Sequence, residues 1–194
     1  MSQITVKEKI IATGQLILSQ TYLRKILEVS WKKYDIDTLI RFKYLAVIKK
    51  WESYYNLLIK DFKNPYILGS GYMNNEVYMF WGIDRYNKEG FTTQVSNIFT
   101  VYNTKYSRKI NIVWIPFVFK KIKKEFLYGG KIQNNIVYME RERLFLEYVR
   151  DYLEYPNDFF IPLVSTLDTG KLKKYIKMYP IKKVVSKVNS FICI

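Results

Sequence analysis

Acidic side chains that could support catalysis are concentrated in one stretch, Glu140-Arg141-Glu142-Arg143, with Glu147 beyond it. Two of these carboxylates could hold a magnesium ion for nucleic-acid processing, which would make Glu140, Glu142 and Glu147 the candidate ligands. Arginines are interleaved with them, and on a helix a carboxylate and an arginine three or four residues apart form an ion pair. The ion-pair interpretation is favoured, so no catalytic residue and no metal ligand is predicted.

Other common catalytic groups are missing from the chain. It contains no histidine, which excludes imidazole bases, triads built on them and histidine zinc sites within this sequence. Its single cysteine, Cys193, cannot form an internal disulfide, which favours an intracellular protein. No GxxxxGK[ST], GxGxxG, HExxH or CxxC motif occurs, and no cofactor is predicted.

The charge balance indicates a polyanionic partner. Lysine and arginine number 32 against 17 acidic residues, a formal charge of +15. Cations placed near phosphates release counterions on binding, so a nucleic acid is the favoured partner. An AT-rich genome would also enrich lysine, isoleucine, tyrosine and asparagine, which leaves charge alone inconclusive. The longest apolar run, residues 110–119, is too short to cross a bilayer, and a cytoplasmic protein without a membrane partner is expected.

Basic, aromatic and hydroxyl side chains between Ser19 and Ile59 are spaced as in a DNA-reading unit. Ser19 is a suitable N-cap for a helix over residues 20–27, and a second helix is predicted over residues 31–42. That second helix buries Ile36, Leu39 and Ile40 and turns its opposite face toward a major groove. Asp37 on that face would repel phosphates unless it pairs with Arg41. The predicted DNA contacts are Arg24, Lys33, Tyr34, Thr38, Arg41, Lys49, Lys50 and Trp51.

The elements around these residues predict a winged helix-turn-helix over residues 1–64. A first helix over residues 6–13 and a short strand over residues 15–18 precede the helix pair. Strands over residues 45–48 and 54–59 enclose a basic wing.

A mixed α/β domain is predicted over residues 65–194, which makes the fold class α+β. The patterns predict a short extended run at the opening of residues 66–72, strands (96–102, 109–119, 132–138) and helices (75–85, 140–152, 171–179, 181–191). The last two helices are rich in lysine, and an additional basic patch is predicted at Lys171, Lys174, Lys177 and Lys183.

Four segments of the second half carry motifs in a defined order: residues 86–95, YNKEGFTTQV; residues 142–147, ERLFLE; residues 168–175, DTGKLKKY; and residues 184–191, VVSKVNSF. In the same order, they resemble the hGLTxQvP segment, the ERaLLD helix, the "ld..kL..ya" helix and the closing "v.kRlG.ll" helix of the antitoxins of AbiE-type abortive-infection systems. With the predicted winged helix included, the resemblance covers nearly the whole chain.

This resemblance implies a non-enzymatic DNA-binding antitoxin that represses its own operon and counteracts a nucleotidyltransferase-like toxin. Its partners would be double-stranded DNA carrying its own promoter and the cognate toxin, and the DNA-reading unit and the basic C-terminal helices could grip one duplex together. The paired aspartates of a nucleotidyltransferase do not follow Gly69-Ser70-Gly71, in agreement with an antitoxin. Two alternatives remain open: a stand-alone winged-helix regulator of a mobile element or virus, and the magnesium-dependent enzyme described above.

Overall fold

The computed structural model describes residues 6–13, 15, 17–29, 36–41, 45–49, 53–56, 64–73 and 76–192. Its chain divides into two compact units, one of Met1–Asn74 with Asn111–Ile115 and one of Asn75–Ile110 with Pro116–Ile194. Helices and strands are mixed along the described residues, so the α+β class is confirmed at that level. In the part of the chain described, none of the helices is both long and apolar enough to cross a bilayer.

The first unit combines four helices with a three-stranded antiparallel sheet whose order is β1-β3-β2. Its elements are α1 (Val6–Ala12), β1 (Ile17–Ser19), α2 (Gln20–Val29), α3 (Ile36–Arg41), β2 (Leu45–Lys49), β3 (Ser53–Asn56) and α4 (Pro65–Met73). The central strand places Tyr54 opposite Leu18 on one side and Val47 on the other. The predicted order of helices and strands up to residue 56 is confirmed where the chain is described.

Local chemistry explains two of the helix starts. The Ser19 hydroxyl accepts a hydrogen bond from the Tyr22 amide at 3.2 Å, which confirms the predicted N-cap. The Asn64 side chain accepts one from the Tyr66 amide at 3.1 Å, and Pro65 occupies the first helical position, where a missing amide proton costs nothing. The extended run predicted at the opening of residues 66–72 is therefore wrong, because Asn-Pro starts a helix here.

A small apolar core holds the first unit together. Leu23 of α2 and Leu39 of α3 are buried against Leu18 and Tyr54 of the sheet, and Ile36 and Ile40 are partly buried beside them. The stripe predicted for the second helix is therefore confirmed. Residues 31–35 of that predicted helix lie outside the described residues. The domain boundary predicted after residue 64 would place α4 in the second domain, whereas α4 lies in the first compact unit.

The second unit is built on a mixed six-stranded sheet in the order β6-β7-β5-β4-β9-β8, except that residues 111–115 at the β6–β7 turn group with the first unit. Its strands are β4 (Tyr78–Trp81), β5 (Phe99–Asn103), β6 (Arg108–Ile112), β7 (Ile115–Lys121), β8 (Gly130–Gln133) and β9 (Ile136–Met139). Its helices are α5 (Ile83–Lys88), α6 (Arg141–Asp151), α7 (Ile161–Val164), α8 (Thr169–Met178) and α9 (Lys182–Ile192). Strand β4 pairs antiparallel with β5 and parallel with β9, while β5 pairs parallel with β7.

Helix α6 is the centre of the second core. It contacts both α8 and α9, and its residues 142–149 are all buried. Met79, Trp81 and Tyr102 extend this core onto one face of the sheet. The predicted helices near residues 140–152, 171–179 and 181–191 are confirmed as α6, α8 and α9.

The predicted helix over residues 75–85 is wrong. Residues 78–81 form the central strand β4, all four of which are buried, and Gly82, with φ of 97°, separates it from α5. The prediction of one strand each over residues 109–119 and 132–138 is also wrong, because each region contains a hairpin of two strands. Two-residue turns with positive φ interrupt the two regions at Val113-Trp114 and Asn134-Asn135.

Gly129 provides a test of the contact between the β8 end of the sheet and α6. It has a φ of 67°, and a Cβ atom there would lie 2.9 Å from the Cβ of Arg143. Gly90 has a similar φ of 77°, but a Cβ atom there meets nothing within 4 Å. We expect Gly129→Ala to lower the free energy of unfolding in urea by about 1 to 3 kcal/mol more than Gly90→Ala, because only the first overpacks the core. Equal losses would contradict this packing.

Candidate nucleic-acid interface

The predicted DNA contacts of the first unit are only partly within the described residues. Arg24 lies on α2 with an exposed side chain. Thr38 and Arg41 lie in α3 and Lys49 in β2, but their side chains lie outside the described part of the structure. Lys33, Tyr34, Lys50 and Trp51 lie wholly outside the described residues. The eight residues therefore stay a prediction as a set.

The basic patch predicted on the C-terminal helices is on the outer side of α8 and α9. Leu172, Tyr175 and Ile176 bury one face of α8, and Val184 and Val188 bury one face of α9. The opposite faces are exposed and contain the predicted Lys171, Lys174, Lys177 and Lys183 together with Lys173 and Lys182. Residues 169–192 contain no aspartate or glutamate, so these helices lack acidic partners of their own.

The lysines of these helices differ in their partners. Lys171 pairs with Glu140, Nζ to Oε2 at 3.3 Å, and Lys187 donates to the Leu153 carbonyl at 2.6 Å. No described residue forms an ion pair with the other five, which we call the α8–α9 lysine surface: Lys173, Lys174, Lys177, Lys182 and Lys183. The sequence prediction missed Lys173 and Lys182. The absence of acidic residues after Asp168 was the signal that would have included them.

A shallow groove of about 570 Å³ runs along this surface between α8 and α9. Its polar lining comes from Lys177, Lys182, Ser186 and Asn189, and its floor from Ile176, Tyr179 and Val185. Ammonium, hydroxyl and amide groups together can contact phosphate oxygens, and an apolar floor can support a sugar or aromatic ring. The groove therefore suits an extended anionic chain.

Behind this surface, Glu147 forms a buried ionic centre. Its side chain is 2% exposed, with Oε1 2.5 Å from Nη1 of Arg143 and Oε2 in contact with Nη1 of Arg150. The Arg143 contact is an ion pair without an aligned hydrogen bond. Tyr102 on β5 donates its hydroxyl to Oε2 of Glu147 at 2.9 Å, which ties α6 to the sheet. The predicted ion pairing of this helix is therefore confirmed at Glu147.

Arg150 extends the network toward the surface. It donates to the Tyr102 hydroxyl oxygen at 2.7 Å and to Oδ1 of Asp151 at 2.7 Å, while Tyr86 donates to Oδ2 of Asp151 at 2.8 Å. Burial, reinforced by the neighbouring carboxylates, raises the pKa of Tyr102 and of Tyr86 well above the usual range for tyrosine. Burial opposes the charge of Arg150, but Glu147, Tyr102 and Asp151 together outweigh it and raise the pKa of that guanidinium. The network is thus fixed as neutral tyrosines and charged arginines at neutral pH.

Arg143 is held between two aromatic rings. Its guanidinium carbon lies 4.7 Å from the ring centre of Tyr128 and 4.8 Å from that of Tyr179. Cation–π attraction of this kind is strongest where water is excluded, as it is around Arg143, which is 2% exposed. Tyr179 follows α8, so the buried arginine connects α6 to the helix that presents the lysine surface.

The other carboxylates considered for magnesium also have partners. Glu140 accepts a hydrogen bond from the Tyr175 hydroxyl at 2.8 Å in addition to its Lys171 contact. Oε1 of Glu142 accepts one from the Asp168 amide at 3.2 Å, just before α8. Among the residues that the structure describes, no group of three or more His, Cys, Asp or Glu side chains is placed to hold a metal ion.

Removal of the Glu147 charge should be strongly destabilising. We expect Glu147→Gln to lower the free energy of unfolding by about 3 kcal/mol, because Arg143 and Arg150 would lose the carboxylate that offsets their burial. Glu140→Gln, at the N-cap of the same helix and in a partly exposed pair with Lys171, should cost less than about 1 kcal/mol. Urea denaturation followed by circular dichroism measures both. A loss for Glu147→Gln no larger than for Glu140→Gln would show that the network does not stabilise the fold.

No protein-family model and no curated protein matches this sequence. Among solved structures, the chain is similar to the crystal structure of the RV2827C protein from Mycobacterium tuberculosis, with a TM-score of 0.64 and 12% sequence identity. The match covers 98% of this chain and 78% of that one. At this identity the similarity concerns the fold alone.

Proposed function

We propose that this protein is a sequence-specific DNA-binding regulator that represses its own promoter, with the first unit acting as a winged helix-turn-helix. The observation that carries the proposal is the order α1-β1-α2-α3-β2-β3 together with the sheet order β1-β3-β2. In a winged helix, this order leaves the third helix free for the major groove and the β2–β3 hairpin as the wing.

Packing in the first unit supports this assignment. Leu23 and Leu39 hold α2 and α3 against the sheet. Although α3 is short, this packing determines which of its faces points outward. Arg24 is exposed on α2, the helix that would cross the DNA backbone in such a unit. Arg41, at the end of α3, is the side chain expected to contact a guanine or a phosphate.

The α8–α9 lysine surface is proposed to add affinity without sequence preference. Its five lysines lack acidic partners among the described residues, and each phosphate contact would release condensed counterions. Phosphate contacts of this kind position a protein on DNA but do not read the bases. Base recognition is therefore assigned to α3, and salt-sensitive affinity to α8 and α9.

The same protein is proposed to act as the antitoxin of a nucleotidyltransferase-like toxin. Support comes from the order of the four AbiE-type segments in the sequence. The segment of residues 142–147 lies in α6, and the segment of residues 168–175 begins just before α8. The Asp168 amide at the start of the second segment donates a hydrogen bond to Oε1 of Glu142 at the start of the first. A toxin gene beside the gene for this chain would support the antitoxin role, whereas its absence would favour a stand-alone regulator of a mobile element or virus.

A comparison of binding to promoter DNA and to random DNA distinguishes residues that read bases from residues that contact phosphates. We expect Arg41→Ala to weaken binding to the promoter by about 1 to 3 kcal/mol and to reduce the preference over random DNA. Lys174→Gln with Lys177→Gln should weaken binding to both DNAs alike and lower the slope of log K against log salt by about 2. Fluorescence anisotropy at several salt concentrations measures these effects, and Lys171→Gln, which removes a lysine already paired with Glu140, is the matched control. Equal wild-type affinity for promoter and random DNA would contradict the repressor role.

Co-expression tests the antitoxin role independently. The protein should restore growth to cells that express the toxin encoded by the adjacent gene. Arg41→Ala should restore growth equally well from an unrelated promoter, because that substitution alters DNA reading alone. Continued growth arrest with the folded wild-type protein would count against the antitoxin role and leave the DNA-binding role standing.

A further inference from the structure

A pocket of about 610 Å³ lies in the second unit, where the loop after α5 meets the C-terminal half of α6. Its volume falls within the range of small-molecule sites, roughly 300 to 1,000 Å³. The lining residues are Asn87, Gly90, Phe91, Thr92, Thr93, Tyr148 and Phe159. Most of them belong to the segment 86–95, and none of the seven carries a charge. The lining therefore suits an uncharged planar or polar group better than a phosphate.

Hydrogen bonds at the end of α5 hold the loop side of the pocket in place. The Phe91 amide donates to the Tyr86 carbonyl at 2.8 Å, and the Gly90 amide donates to the Asn87 carbonyl at 3.0 Å. These two bonds form a Schellman motif, which reverses the chain at a left-handed glycine, here Gly90 with φ of 77°. The Asn87 side chain then donates from Nδ2 to the Thr92 carbonyl at 3.2 Å. The protein itself therefore pre-organises this side of the pocket.

Two aromatic rings, those of Tyr148 on α6 and Phe159 between α6 and α7, form the opposite wall. The rings are nearly parallel, at 24°, and their centres are 6.0 Å apart. A planar ligand needs about 3.5 Å to each neighbouring ring, or about 7 Å in total, so it cannot insert between them. Phe159 is 39% exposed, and a planar ligand can stack on its outer face instead.

Tyr148 also brings a polar atom to this wall. Its side chain is 1% exposed, and its hydroxyl forms no hydrogen bond with any described residue. Burial, together with Tyr152 and Tyr155, raises the pKa of Tyr148 to about 12, so the hydroxyl is a donor at neutral pH. Buried hydroxyls nearly always have a hydrogen-bond partner, and a ligand in the pocket can supply one. Asn87 adds an acceptor, because its Nδ2 is bonded to Thr92 and its Oδ1 remains.

We propose that this pocket binds a nucleobase, which stacks on Phe159 and is held at its edge by the Tyr148 hydroxyl and Asn87. A nucleobase has a flat aromatic face and an edge with both donors and acceptors, and proteins recognise unpaired bases by this combination. A hydrocarbon ligand would leave the Tyr148 hydroxyl unpaired. The bases of a duplex are paired and stacked on one another, so this site is separate from the proposed reading of promoter DNA. Its ligand is a free nucleoside or nucleotide, or an unpaired base in a single strand.

Titration of the full chain with adenosine, cytidine and uridine, followed by ligand-observed NMR, tests the assignment. We expect at least one of them to bind with a Kd of about 1 mM or lower. Phe159→Ala should raise that Kd by about tenfold, because the stacking surface is lost. Tyr148→Phe, which keeps the ring and removes the hydroxyl alone, should raise it by about fivefold to tenfold. Circular dichroism verifies that each variant is folded.

Tyr155→Phe is the matched control. Tyr155 packs on Phe159, with ring centres 4.9 Å apart, but does not line the pocket, so its hydroxyl should not affect the Kd by more than about twofold. Benzyl alcohol, an aromatic ring without a base edge, should not displace the nucleoside. The assignment is wrong if wild type binds none of the nucleosides, if benzyl alcohol displaces them, or if the Phe159 and Tyr148 variants bind like the control.

Single-stranded DNA distinguishes the two sources of the base. A strand of about ten nucleotides that displaces the nucleoside, while an abasic strand of equal length does not, would place an unpaired base of a strand in the pocket. Displacement by neither strand would make the ligand a free nucleoside or nucleotide. Equal displacement by both strands would show that the backbone carries the binding and would overturn the assignment. Duplex binding should be unchanged in all of these variants, so failure here leaves the proposed function standing.

Discussion

One buried carboxylate, that of Glu147, determines how the helical layer of the second unit rests on its sheet. A lone charge at 2% exposure would be strongly unfavourable, so the fold must bring compensating polar groups to it. Two come from its own helix, Arg143 and Arg150, and one from the sheet, the hydroxyl of Tyr102. Arg143 in turn packs between Tyr128 and Tyr179, which joins the position of α8 to the same charge.

Glu140, Glu142 and Asp151 also have hydrogen-bond partners within the second unit. Glu142 accepts a hydrogen bond from a backbone amide before α8, and Glu140 accepts one from the Tyr175 hydroxyl. Asp151 accepts hydrogen bonds from the Tyr86 hydroxyl and from the Arg150 guanidinium. The five lysines of the α8–α9 lysine surface, in contrast, are exposed and form no ion pair with a described residue. Part of the basic excess of the chain therefore lies on this surface of the second unit, where it can attract a polyanion over about 10 Å at moderate salt.

Prediction from the sequence succeeded where a local pattern carries the information. Leu144, Phe145, Tyr148 and Val149 recur at helical spacing, and α6 is found there. It failed for residues 78–81 because a central strand covered on both faces has no alternation, and its aromatic residues fitted a helical period equally well.

The candidate surfaces were likewise only partly predictable. The sequence shows the lysines of the last two helices as a basic patch. It does not show that Lys171 pairs with Glu140, because the two residues are 31 positions apart in the chain. The contact of Tyr102 with Glu147 spans 45 residues and leaves no local pattern. The Val113-Trp114 turn lacks the glycine or asparagine that normally marks such a turn, so a single strand was the natural prediction.

The assignment of residues 111–115 to the first compact unit has a consequence for biosynthesis. During translation, domains tend to fold as soon as their sequence has emerged from the ribosome. Here residues 111–115, which group with the first unit, are synthesised after the opening strands of the second unit. The last segment of the first unit therefore leaves the ribosome only after part of the second unit has emerged.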